Sequence, residues 1–239
     1  CVKIGGDVRY EARYQDYGGA TQNHSYRSFS RFQLNVDARN ETEWGTLRGY
    51  AEGRWDWLSA AANTDSAYLN QGFIELINPG GTIRLGKSDT PYARFIGYGS
   101  GAVFDGSYGF NNAAEVSYTF VGGNGFSGII AVVDRRASDD FDFGIEGGLR
   151  LNQAWGSVGA IAGYDTLVEE WGAKALAHAN FGAISVGANF FYSSAPNSIY
   201  SIGSGIFGDT GSEFSVLAYA RAKVSDTLAV GIGAQWFDD

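Results

Sequence analysis

The sequence is most informative in what it is short of. Its 239 residues include no methionine, one cysteine, three prolines and two histidines. Without methionine, the chain is expected to lack the start of its gene product and any leader; no signal peptide is visible. The single Cys1 excludes an internal disulfide and a cysteine metal cluster. The longest apolar run, Ile129 to Val133, is far too short for a transmembrane helix. His24 falls in a predicted loop and His178 on a predicted strand, so a Ser-His-Asp hydrolase site is not expected. We expect no catalytic residues, no cofactor and no metal. Net charge is −9, which argues against nucleic acid as a partner. Residues 1–57 hold 8 basic and 8 acidic residues, so the whole acidic excess lies beyond them.

What is there is alternation. In Val2–Tyr14, Val2, Ile4, Val8, Tyr10, Ala12 and Tyr14 share one face, and Lys3, Asp7, Arg9, Glu11 and Arg13 share the other. A strand places i and i+2 on the same side. Tyr26–Arg39 repeats the pattern, with Phe32, Leu34 and Val36 set against Arg27, Arg31 and Arg39. The third strand sets Leu47, Ala51, Trp55 and Trp57 against Arg48, Glu52, Arg54 and Asp56. Further strands are expected at Tyr68–Ile77, Thr82–Ser88, Asn112–Val121, Phe126–Asp134 and Phe141–Leu151. Five more fall near Ser157–Asp165, Trp171–Phe181, Ile184–Ser193, Glu213–Val224 and Thr227–Phe237. Phe126–Asp134 is ambiguous, because both its faces are apolar.

About thirteen strands of about ten residues fit tilted membrane-spanning strands better than a soluble sandwich. Tight turns such as Asn78–Gly81 and Gly122–Gly125 alternate with longer connections such as Leu58–Ala67 and Ser194–Ser212. Aromatics gather near strand ends, including Trp55, Trp57, Trp171 and Trp236 toward one rim and Phe120 and Phe181 toward the other. Two aromatic girdles around an aliphatic band match a bilayer with two interfaces. The expected fold is all-β: a transmembrane antiparallel β-barrel in the bacterial outer membrane, with residues 1–239 a single incomplete barrel domain.

One stretch breaks the rhythm. Residues 89–111 show neither strand nor helix period, and are too aromatic, glycine-rich and charge-poor for disorder. We read them as a constriction loop folded into the barrel, with Phe95, Ile96, Val103 and Phe104 packed on the inner wall at strand seven. The polar face of the first strands supplies Arg9, Arg13, Arg27, Arg31, Arg48 and Arg54 to a cationic wall. Asp105 first and Asp89 next are the acids expected to face it, creating a field across a water-filled pore. The same arginines could instead pair with Asp7, Glu11, Asp37, Glu52 and Asp56. Such a pore would pass small hydrophilic solutes and ions. Asp139-Asp140 and Glu169-Glu170 could bridge lipopolysaccharide through divalent cations, but solvated surface charge is the simpler reading.

Several motifs point to a family. VKIGGDVRYEARY, SRFQLNVDAR, ETEWGTLRGYAEGR and GGTIRLGKSDTPY resemble the alphaproteobacterial general porins over residues 1–92. The resemblance implies a sixteen-stranded barrel, a homotrimer and a constriction loop after strand five. Gly49, Ala51, Gly53 and Gly72 form a small-residue patch expected at the subunit contact. Such porins end on an aromatic residue, whereas this sequence ends Phe237-Asp238-Asp239, so about three strands are expected to be absent. Some members carry a cysteine like Cys1 that looks paired with one upstream. The competing functions are an outer-membrane barrel enzyme, which would need a catalytic constellation, and an adhesin or receptor, which would need apolar loop tips. Ile199, Tyr200, Ile202, Ile206 and Phe207 are the one apolar tip.

Overall fold

The computed structural model describes residues 1–16, 24–59, 64–98, 106–134, 142–202 and 212–238; side chains 13, 15, 16, 24, 25, 27 and 64 fall outside the description. Two compact units are distinguished, Cys1–Leu76 and Ile77–Asp239. Strand order follows chain order, and every described pairing is antiparallel.

The first unit contains β1 (Val2–Asp16), β2 (His24–Thr42), β3 (Gly45–Leu58) and most of β4 (Thr64–Asn78). These strands are longer than the sequence rhythm suggests, and β2 reaches 19 residues. Alternation fades where side chains leave the apolar zone, but the backbone ladder continues, pairing Asp16 with His24 and Thr42 with Gly45. Val2, Ile4, Val8, Phe32, Leu34 and Trp55 are all exposed on one face, with Val8 at 80%. An apolar face left open on this scale is the mark of a lipid-facing wall.

The second unit contains β5 (Gly81–Asp89), β6 (Asn112–Val121), β7 (Phe126–Asp134), β8 (Phe143–Gln153) and β9 (Gly156–Asp165). It continues through β10 (Glu170–Phe181), β11 (Ile184–Ser193), β12 (Phe214–Lys223) and β13 (Ala229–Phe237). The register resolves the ambiguity of β7: Ile129, Ala131 and Val133 are buried, while Ile130 and Val132 are exposed. Both faces are apolar because each meets an apolar partner, lipid on one side and protein on the other. The exposed face continues through Val116, Tyr118, Ile145, Leu149, Val186 and Phe190.

Aromatics mark both rims of that face. Trp171 packs on Tyr192 and Phe214 on Trp236 near the long connections. Phe120 packs on Phe126 beside a tight turn. Trp155, exposed at a tight turn, belongs to the same belt, and Trp44 is likewise exposed at a tight turn of the first unit, although strand alternation singles out neither. No helix among the described residues is long and apolar enough to cross a membrane.

The 89–111 stretch is not wholly irregular, contrary to expectation: Pro91–Arg94 forms a one-turn helix, α1. Its proline occupies the first turn, where a missing N–H costs nothing, and the fixed φ favours the start of a helix. Four residues cannot show a 3.6-residue period, which is why no helical signal is visible there.

Candidate functional site

Two polar surfaces could act on a solute, one in each unit. In the first unit the antiparallel register sets Arg9 opposite Arg31 and Arg39 opposite Arg48. Like charges directly opposite are destabilising, so this wall requires interleaved acids. It has them. Arg31 donates to both Asp56 oxygens at 2.7 Å, and Tyr68 adds a hydroxyl at 2.9 Å. Arg48 bridges Asp37 at 2.9 Å and Glu75 at 2.8 Å, its guanidinium lying over the rings of Tyr50 and Phe73. Arg54 reaches Glu52 at 2.7 Å and Gln33 at 2.8 Å. Arg9 pairs with Glu11. The described guanidinium groups are therefore paired along their own wall, and the surface is a charge-alternating ladder rather than a purely cationic one. Arg13 sits opposite Arg27 in the register, with their side chains outside the description.

In the second unit, residues 90–98 and 106–111 lie against the face opposite the exposed apolar one. Tyr92, Ile96 and Tyr108 enter a core with Ile129, Ile161, Leu176, Phe191 and Leu217; Phe95 packs at its edge. Full burial of each such side chain contributes roughly 1.5–3 kcal/mol. Polar contacts fix the position. The Glu146 carboxylate, fully buried, accepts the Tyr92 N–H at 2.6 Å. The Lys174 ammonium, 1% exposed, donates to the carbonyls of Tyr92 at 3.1 Å and Ala93 at 2.9 Å. It also lies 4.6 Å from the Tyr108 ring centroid. Arg150 donates to the Phe95 carbonyl at 3.1 Å. Arg94 pairs with buried Glu115, which also accepts from Ser88 at 3.0 Å. Farther along, Gln235 on β13 exchanges two hydrogen bonds with the Ser107 backbone, each 2.8 Å.

Asp89 is placed at the loop's entry. Its carboxylate accepts from Tyr98 at 2.8 Å and from Asn112 at 3.0 Å, so it serves the loop's own structure. Burial, and then this bond to Asp89, hold the Tyr98 phenol above the ordinary tyrosine pKa. Val103, Phe104 and Asp105 lie outside the described residues.

The described part of the tip expected to be apolar and exposed is apolar but largely buried. Tyr200 and Ile202 are each 1% exposed and belong to the same core as Ile96; Ile206 and Phe207 lie outside the described residues. Tyr200 and Ile202 therefore offer no exposed apolar surface to an external partner. His178 stacks on Tyr219 on the loop-facing side of β10. Among the described residues no cluster of histidine, cysteine or acidic groups could hold a metal ion. Sequence reasoning missed Lys174, Arg94 and the anchoring role of Arg150 and Glu146. For Glu146, Arg150 and Lys174 the available signal was single charges at loop-facing positions of strands with few other charges.

Comparison with known proteins gives the family and the fold. The Porin subfamily matches residues 1–239. Porin Omp2b of Brucella neotomae is 32% identical, the match covering 98% of this chain and 69% of that protein. Porin Omp2b of Brucella suis biovar 1 is 31% identical over 82% of this chain and 60% of its own length. Among solved structures, a mutant of the Rh. blastica porin superposes with a TM-score of 0.64 at 16% identity, covering 100% of this chain and 85% of that one. Salmonella typhi OmpF in complex with daunomycin gives 0.53 at 11% identity, covering 100% and 91%. At these identities the structures speak for the fold, that of the porin β-barrels.

Proposed function

We propose that this chain, which belongs to the porin subfamily, forms the wall and constriction of a passive outer-membrane channel for small hydrophilic solutes and ions. The observation that carries the reading is the anchoring of residues 90–98 and 106–111 on the face turned away from lipid, by partners that include Glu115 on β6 and Gln235 on β13. A loop held over that face reduces the cross-section open to a solute. Tyr92, Ile96 and Tyr108 hold it there by packing on the wall.

In this reading the first unit's ladder sets selectivity. Arg9, Arg13, Arg27, Arg31, Arg48 and Arg54 present donors, and Asp37, Glu52, Asp56 and Glu75 offset their charge. Asp105, carried by the loop, is the acid that would complete a transverse field. Polar solutes exchange hydrogen bonds with such a surface, whereas apolar solutes must strip ordered water from it and are slowed. The channel is a homotrimer whose contact uses Gly49 and Ala51, with outer-leaflet lipopolysaccharide meeting the aromatic rim. Trp55 folds over Gly53 and Leu69 over Gly72, so the flat part of that patch is its Gly49–Ala51 end.

Planar-bilayer recording of the full-length protein tests this. Shortening the loop between Ile96 and Ser107 should raise single-channel conductance. An unaltered conductance would place the loop outside the ion path and end the reading.

A further inference from the structure

The segment after β11 does something the channel reading alone does not require. Residues 194–202 turn back onto the same face as the long loop, with Tyr200 fully buried there. Its ring lies where side chains of three neighbouring strands would otherwise be. A Cβ added to Gly163 on β9 or Gly172 on β10 would collide with Tyr200, and one on Gly144 of β8 would sit 3.0 Å from its hydroxyl. Gly163 and Gly172 are direct cross-strand partners, and Gly163 also pairs with Glu146. None of these three glycines has a φ in the left-handed region, so turn geometry does not explain them. Space does: together they form a socket for one aromatic ring.

The socket is closed from above by the long loop. Tyr92 packs against the Tyr200 ring at 4.7 Å between centroids. Gly109 approaches the Tyr200 backbone so closely that any side chain there would overlap it. Asn111 donates to the Ile199 carbonyl at 3.1 Å. Below, the Tyr200 hydroxyl donates to Glu146 at 3.3 Å and the Ile199 N–H to Asp165 at 3.1 Å. Glu146 thus accepts from both segments, from Tyr92 N–H of one and Tyr200 hydroxyl of the other.

We propose that Tyr200 is a positioning residue of the constriction, a peg in the Gly144–Gly163–Gly172 socket that holds both the 194–202 segment and the 89–111 loop on the wall, and so sets the size limit of the pore. The proposal rests on the reading that the 89–111 loop narrows the channel. Ring volume carries the effect and the hydroxyl is secondary, because its bond is the longest in the cluster while the glycine contacts admit no slack. Filling the socket should therefore act like emptying the peg.

The test compares full-length channels in planar bilayers and liposome-swelling assays with sugars of graded size. Tyr200→Ala and Gly163→Ala should each raise single-channel conductance and speed the largest permeant sugar relative to the smallest. Tyr200→Phe should match wild type. With the 89–111 loop shortened, Tyr200→Ala should add nothing further. If the shortened loop conducts more but Tyr200→Ala and Gly163→Ala keep the wild-type size limit, Tyr200 is only a packing residue and the proposal is overturned. A lowered heat stability of the barrel without a change in size limit overturns it as well. If loop shortening itself leaves conductance unchanged, the loop reading fails and this proposal falls with it.

Discussion

Replacing Lys174 with methionine should release the long loop without unfolding the wall. The ammonium is buried and donates to two carbonyls of α1, at 3.1 and 2.9 Å. A hydrogen bond to a charged group is worth about 1.5–3 kcal/mol, so two give ~3–6 kcal/mol of gross attachment. Against this stands the desolvation of a buried cation, which costs several kcal/mol and disappears in the methionine variant. Methionine keeps the length and fills the same space, so the void term is small. We expect a net loss of about 2–3 kcal/mol in the attachment of α1 to β10. At about 1.4 kcal/mol per tenfold, the released population should rise roughly 30- to 150-fold.

Amide hydrogen exchange reads this opening directly. The N–H groups of Ala93, Arg94 and Phe95 bond only to Thr90 and Pro91 carbonyls within the turn. They should exchange faster by that factor, while the β10–β11 ladder around Ala177 and Ala188 keeps its protection. An acceleration under about threefold would show that the carbonyl contacts contribute nothing net after desolvation. Equal acceleration of loop and ladder would show that Lys174 supports the sheet rather than the loop.

Other expectations concern the channel and its orientation. Neutralising Arg31 should lower the anion-to-cation permeability ratio and Asp105→Asn should raise it, most at low salt, since screening extends only about 10 Å at about 0.1 M; reversal potentials that ignore either change would remove both from the ion path. Tyr98 has its folded pKa raised, so the stability it contributes is complete below the unfolded tyrosine range and is lost as pH rises through its higher folded value. Alkaline absorbance titration should therefore count one fewer late-ionising tyrosine in Tyr98→Phe than in the parent protein. Aqueous thiol reagents should modify a cysteine at Arg9 and spare one at Val8; the opposite pattern would invert the wall. Ala51→Trp should weaken the proposed trimer on heated gels more than a bulky change on β10.

Much of the fold was legible because alternation is a direct consequence of strand geometry between two different solvents. β6, β7 and β11 have the bounds read from sequence, Asn112–Val121, Phe126–Asp134 and Ile184–Ser193. β4 starts at Thr64 rather than Tyr68, because backbone pairing outlasts the apolar zone that creates the pattern. The register of β7 was not legible for the opposite reason: Ile130 facing lipid and Ile129 facing protein are the same residue type under two different demands.

The candidate site shows where such reading runs out. Lys174 and Arg150 were visible as isolated charges, but their partners are loop carbonyls, and a carbonyl has no sequence signature. Hydrophobicity alone could not decide whether Tyr200 was an exposed tip or a buried peg. Strand parity could have helped. Gly144, Gly163 and Gly172 all occupy loop-facing positions of consecutive strands, where an ordinary wall carries polar side chains. Three adjacent strands giving up side chains on one face imply an object that fills the space, and a segment with an unexplained aromatic residue supplies it. The missing side chains of the wall and the excess apolar surface of the loop are two halves of one constraint, because a close-packed interior leaves no room for both a Cβ and a ring.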